Sequence, residues 1–172
     1  ELQFGNFPVV ELLVEELLDI QDEFFVSLTI DDANQAPILL LDCEGGSGIE
    51  DRADSVARIP ITADGDISRE LLFEVTKDEG VVEAIVKIVH TAHQHEARSL
   101  EVNPLVRLSD GTIVAADCRM TIDDYAVFRH DDLGIDIARE LDHPPTKLEQ
   151  LAYEIEQEDH RGTFYFAKLP TD

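Results

Sequence analysis

Residues 99–130, SLEVNPLVRLSDGTIVAADCRMTIDDYAVFRH, decide the fold, because they read as two strands joined by a tight turn. Leu100, Val102 and Leu105 alternate with Glu101 and Asn103, the period-two pattern of a strand with one apolar and one polar face. Ser109-Asp110-Gly111 is a turn signal, and Thr112 to Asp117 is a β-branched and alanine run that ends in an acid. Turn length governs which polar groups meet. With Asp110-Gly111 as a two-residue turn, Asn103 faces Cys118. With Ser109-Asp110-Gly111 as a three-residue loop and Gly111 left-handed, Asn103 faces Asp117, and Glu101 lies two positions along on the same face. An amide oxygen and a carboxylate with a free acid nearby suit a hard cation. Mg²⁺ takes oxygen ligands, keeps several waters and is usually held by one or two protein groups together with substrate phosphates. Polar residues at ordinary strand ends satisfy the same spacing, so the residues alone leave both registers and both readings open.

The run after Gly80, VVEAIVKIVHTAHQHEA, places Val81, Ile85, Ile88, Val89 and Ala92 at helical spacing, a helix that supports the hairpin. His90, His93 and His95 gather near its negative end. Residues two apart on a helix diverge by about 200°, so His93 and His95 do not make a zinc pair. Ile67 to Val75 reads as a short helix. Toward the N-terminus, Phe7 to Leu13 resembles a strand that runs on into an acidic turn near Ile20. Asp22 to Ile30 alternates Phe24, Val26, Leu28 and Ile30 against Phe25, Ser27 and Thr29. Ile38 to Asp42 is too uniformly apolar for an exposed edge, and three neighbouring strands predict a meander. Glu44-Gly45-Gly46-Ser47-Gly48-Ile49-Glu50 is either a flexible connection or a backbone nest for phosphate. It has no P-loop lysine and no G-x-G-x-x-G, which excludes a Walker or Rossmann site there. Asp51 to Asp66 reads as a surface excursion with short strand or turn pieces. Beyond Arg129, residues 131–145 read as a linker. Thr146 caps a helix from Lys147 to Glu158 with Leu148, Leu151, Ala152 and Ile155 on one face, and Arg161 to Leu169 reads as a short strand. The sum is an α+β chain, mainly antiparallel sheet with packed helices.

Thirteen basic against 38 acidic side chains give a formal charge of −25 over 172 residues. Such a surface repels nucleic acid and anionic membranes, so neither is an expected partner. With only four lysines, a salt-adapted surface and an ordinary acidic one both account for the balance. Cys43 and Cys118 share no metal or redox spacing and read as reduced thiols, in keeping with a cytoplasmic setting. No apolar run approaches the roughly 18 residues of a membrane span, and no signal-peptide pattern opens the sequence. A start at Glu1 suggests a processed chain or an excised piece.

Glu101-Val102-Asn103-Pro104-Leu105-Val106, then Ala116-Asp117-Cys118-Arg119, then Tyr125-Ala126-Val127-Phe128-Arg129 resemble a set of hallmark runs: E-I-N-P-L-V, L-D-A/G-K and N-A-L-F-R. These belong to the metal-binding hairpin of the ATP-grasp domain in succinyl-CoA synthetase β subunits and related nucleotide-dependent carboxylate:CoA ligases. The resemblance covers about Pro8 to His130 and implies that residues 1–130 are the C-terminal half of the ATP-grasp domain. It makes 131–172 a linker, helix and strand leading toward a CoA-ligase domain outside this sequence. It implies that Asn103 and Asp117 bind the Mg²⁺ of ATP/ADP or GTP/GDP and that Glu101 lies near an incoming phosphohistidine. Leu13 to Phe25 follows the family's V-E-x-x-x-D-I-x-x-E-x-Y pattern, which lines the nucleotide pocket. Glu15 and Glu23 are then nucleotide contacts, Glu23 to the ribose, and Leu18 contributes backbone; on residue pattern alone both acids are a solvated rim. The E-G-G-x-x-I-E loop is also shared. Arg119 stands where the family commonly has lysine. The implied partner is an α subunit carrying the phosphohistidine and CoA site, and this chain alone is expected to be inactive. Family members that activate malate, citrate or acetate are alternatives, as is a non-catalytic nucleotide-sensing module that has kept the fold.

Overall fold

The computed structural model describes residues 2–45, 56–135, 137, 143–159 and 161–167. The chain divides into two units, Leu17–Asp123 and a second built from Glu1–Glu16 together with Asp124–Asp172. In the second unit β1 (Gln3–Phe4) and β2 (Phe7–Pro8) form a short antiparallel pair. The strand expected from Phe7 to Leu13 is thus only Phe7–Pro8, followed by a bond from the Val9 N–H to the Leu2 carbonyl at 3.0 Å. Leu12, Leu13 and Leu17 are 76%, 85% and 96% exposed, so no buried face holds the following segment in a sheet.

The larger unit is an antiparallel sheet of β3 (Ile20–Asp31), β4 (Ala36–Asp42), β5 (Ala57–Pro60), β6 (Ala97–Leu108), β7 (Ile113–Ala115) and β8 (Cys118–Ile122), in the order β5-β4-β3-β6-β7 with β8 also on β6. Strands β3 to β5 are a meander, but the place beside β3 goes to β6 and not to the N-terminal segment. Both β3 and β6 are 12 residues long and apolar on alternate positions, so their pairing buries more than a two-residue strand can. Helix α1 (Arg69–Thr76) is capped by Ser68, whose side chain accepts from the Leu71 N–H, and ends at left-handed Lys77. Helix α2 (Glu79–Gln94) is capped by Asp78 in the same way, through the Val81 N–H. Together they cover one sheet face. Leu72, Val81, Val82, Ile85 and Val89 pack with Phe24, Val26, Leu28, Leu39, Leu41, Leu100, Val102 and Leu105 in one cluster.

In the second unit α3 (Lys147–Glu158) has the expected start, with Thr146 and Glu149 forming a reciprocal capping box. The buried face differs from the expected one. Leu148, Leu151 and Ile155 are 60%, 55% and 48% exposed, whereas Glu149, Ala152 and Glu156 are buried. The two acids turn inward because each has backbone amides to bind: Glu149 Oε2 accepts from the Thr146 N–H at 2.8 Å and Glu156 Oε1 from the Phe166 N–H at 2.8 Å. Residues 161–167 form no strand. Asp159 Oδ2 instead accepts from the Thr163 N–H and hydroxyl, both at 2.7 Å, and from the Phe164 N–H at 2.5 Å, which takes the amides a ladder would use. Lys168 and Leu169 lie outside the described residues. Among the described residues no helix is long and apolar enough to cross a membrane.

Candidate nucleotide and metal site

The hairpin adopts the three-residue loop. Gly111 has φ +87°, the Leu108 N–H donates to the Thr112 carbonyl at 2.9 Å, and Asp110 Oδ1 accepts from the Thr112 N–H at 2.9 Å. Only a residue tolerant of positive φ closes this turn without strain. The register that follows pairs Leu105 with Ala115, Val102 with Cys118 and Glu101 with Arg119. Between them the Asn103 N–H donates to the Asp117 carbonyl at 3.3 Å, so Asn103 of β6 faces Asp117 in the short break between β7 and β8.

On its other edge β6 shifts register against β3. Phe24 pairs with Leu105 and Val26 with Val102, so Asn103 and Pro104, joined by a cis peptide, together oppose Phe25. This bulge resets the alternation. Val102 and Leu105 both reach the helix-covered core, and Glu101 and Asn103 fall on the opposite face. Met120 packs against the core from β8, which leaves Arg119 on the face of Glu101.

Two rows of residues then cross that face. One runs Asp42, Phe25, Asn103, Asp117; the next runs Leu40, Ser27, Glu101, Arg119. Asn103 is half-buried, and Glu101, Asp117 and Arg119 are exposed. Glu23 is half-buried on β3, opposite Val106. Its carbonyl accepts from the Gly45 N–H at 2.9 Å, which brings the start of the glycine-rich loop against the strand. A Cβ on Gly45 would sit 2.7 Å from the Phe24 nitrogen, so the approach requires glycine. Residues 46–50 lie outside the described residues. Leu18 is half-buried in the lead into β3, beside Asp19, whose carbonyl accepts from the Ser109 N–H at 3.0 Å and ties the lead to the hairpin turn. Glu15 is exposed and belongs to the other unit.

Two features escaped the sequence reading. Asp42 is only 8% exposed and its Oδ1 accepts from the Glu44 N–H at 2.9 Å. Its signal was an acid closing an otherwise apolar strand. Arg107 bridges three elements. Its Nε and Nη2 bind Asp22 Oδ2 at 2.9 and 2.6 Å, and its Nη1 binds Asp78 Oδ2, while Asp78 Oδ1 caps α2. Nothing in the sequence links positions 22, 78 and 107. Burial, and then the neighbouring Asp117 charge, push the Cys118 thiol above its ordinary value, so it is no ready nucleophile.

The donor set fits Mg²⁺. Asn103 on β6 and Asp117 in the facing break between β7 and β8 carry hard oxygen donors, and the exposure of Asp117 leaves room for water and phosphate oxygens. Among the described residues no group of three or more His, Cys, Asp or Glu is placed to hold a metal.

An antiparallel sheet backed by helices, with Asn103 and Asp117 facing each other at a hairpin and a glycine approach beside them, is a frame of the ATP-grasp kind. Residues 5–107 match the ATP-grasp domain family, and the chain belongs to it. It is 34% identical to the succinate–CoA ligase [ADP-forming] subunit beta of Ignicoccus hospitalis over 99% of its own length and 45% of that protein. It is 36% identical to subunit beta 2 of the same ligase from Archaeoglobus fulgidus, covering 73% of this chain and 36% of that one. The chain thus spans less than half the length of these relatives. In fold it is similar to the ATP citrate lyase from Methanothrix soehngenii solved with citrate and coenzyme A. The TM-score is 0.61 at 16% identity, over 84% of this chain and 35% of that one.

Proposed function

We propose that the chain supplies the nucleotide- and Mg²⁺-binding part of a succinyl-CoA synthetase-like carboxylate:CoA ligase. A phosphoryl group passes there between the nucleotide and a histidine of an α subunit that carries the CoA site. The hairpin register carries the reading, because it sets Asn103 against Asp117 with Glu101 next along the same face. Asn103 Oδ1 and the Asp117 carboxylate would hold the cation, which when bound neutralises charge on the phosphates. Glu101 is exposed, where its carboxylate can accept the N–H of an approaching imidazole and leave the second ring nitrogen to face the phosphoryl group. Glu23, beside the Gly45 approach, and the Leu18 backbone bind the ribose and base. The identity to succinate–CoA ligase β subunits supports the acid–thiol ligase class.

The test is titration of the intact protein with ADP, with and without Mg²⁺, beside Asn103→Ala and Asp117→Ala. Each substitution should remove the Mg²⁺-dependent part of binding and weaken it at least about tenfold, the worth of a lost charge-assisted contact. Mg²⁺-dependent binding that survives both substitutions sinks the assignment.

A further inference from the structure

Resting on that reading, we infer that Arg119 is a cation of this face that binds the terminal phosphates of the nucleotide. Acids surround the proposed site: Asp42, Glu23, Glu101 and Asp117 all lie on or at the end of strands bordering it. A nucleoside di- or triphosphate brings several more negative charges, and one divalent ion leaves the sum negative. A positive side chain in reach therefore strengthens binding.

Among the described residues of the larger unit, few cations qualify. Lys77 and Lys87 belong to the helical layer on the other side of the sheet. Arg69 is paired with Glu79 and Glu83, and Arg107 with Asp22 and Asp78. Arg58 shares the face but stands at β5, at the far end of the row, and is paired with Asp31 at 3.3 Å. Arg98 lies at the other end of β6 from Asn103. Arg119 alone meets the geometric demand. It is opposite Glu101, two residues from Asp117 on the same face, exposed, and without an ion pair among the described residues. Neighbouring strands are about 4.8 Å apart and alternate residues about 7 Å apart, so its side chain spans the distance to a phosphate held at Asn103 and Asp117. A guanidinium also offers two parallel N–H donors to phosphate oxygens, which an ammonium does not.

The experiment compares wild type, Arg119→Gln, Arg119→Lys and Arg98→Gln in the intact protein, titrated with Mg-ADP, AMP and adenosine. Arg119→Gln should weaken Mg-ADP at least about tenfold and leave adenosine unchanged. Arg119→Lys should recover part of the loss, and Arg98→Gln should behave as wild type. Because Met120 and not Arg119 faces the core, thermal melting of the Gln variant should match wild type. Equal loss for ADP and adenosine, or no loss at all, overturns the inference. If Arg119→Gln has no effect while Asn103→Ala and Asp117→Ala abolish Mg²⁺ dependence, Arg119 falls and the site stands. If wild type itself shows no Mg²⁺-dependent nucleotide binding, both fall together.

Discussion

The two units of this chain treat their apolar residues in opposite ways. In Leu17–Asp123, Leu39, Leu72, Val81 and Ile85 are all 0% exposed, and apolar side chains from both helices and from most of the sheet's strands meet in one cluster. In the unit around α3 the leucine and isoleucine stripe at 148, 151 and 155 faces outward, while two glutamates are buried on hydrogen bonds. Periodicity in a sequence marks where a face can form. Which face is buried depends on what else has been brought to it, and in α3 the cap and the 159–166 segment engage the polar side first.

That contrast can be broken by substitution. Leu39→Ala should cost about 3 kcal/mol in denaturant unfolding, as large-to-small changes in tight cores do. Leu151→Ala, at 55% exposure, should fall within about 0.5 kcal/mol of wild type. Comparable losses at both positions would mean that α3 packs its leucines after all. Arg107→Ala should cost about 1–2 kcal/mol, since it leaves Asp22 and Asp78 beside each other without their shared cation, at a site still partly open to solvent. The loss should shrink in molar salt, which screens the two carboxylates. Thr146→Ala should cost about 1 kcal/mol, confined to the start of α3 and visible as faster amide exchange there.

The smallest effect concerns pH. The hydrogen bond from the Thr163 hydroxyl, with the Phe164 and Thr163 amides, holds the Asp159 carboxyl below its ordinary value. A depressed carboxylate favours the folded loop above the usual carboxylate range, and that contribution disappears as pH falls through the lowered value. Exchange protection at Thr163 and Phe164 should therefore fade on acidification and be weak at every pH in Asp159→Asn.

Local signals were the legible ones. Gly111 marks a turn, Thr146 marks a helix cap, and α2 repeats its apolar residues at the helical period, so the hairpin, the start of α3 and the core face of α2 could be read directly, whereas the length of the turn was left between two registers. The bulge at Asn103 and Pro104 could not, because it exists only against Phe25 on a strand far away in sequence. The same holds for Arg107 with Asp22 and Asp78. Phe7 to Leu13 looked like one strand by composition, yet only its first residues pair, with β1, and the exposed Leu12 and Leu13 add nothing to the ladder. Of the site, the hairpin pattern allowed Asn103 to face Asp117 in one of two registers and the family resemblance gave these residues and Glu101 their expected roles, whereas Asp42 was hidden at the end of a run that looked purely apolar.

The Ser109-Asp110-Gly111 loop also bears on how such a chain can diverge. Ser109 and Asp110 can be replaced by other turn formers with little change downstream. One residue gained or lost there would move every side chain of the returning strand to the other face, separating Asp117 from Asn103 and carrying Met120 out of the core. Chains that keep this hairpin should therefore tolerate substitution at these positions but conserve the length of the loop, and an insertion of two residues should be better borne than an insertion of one.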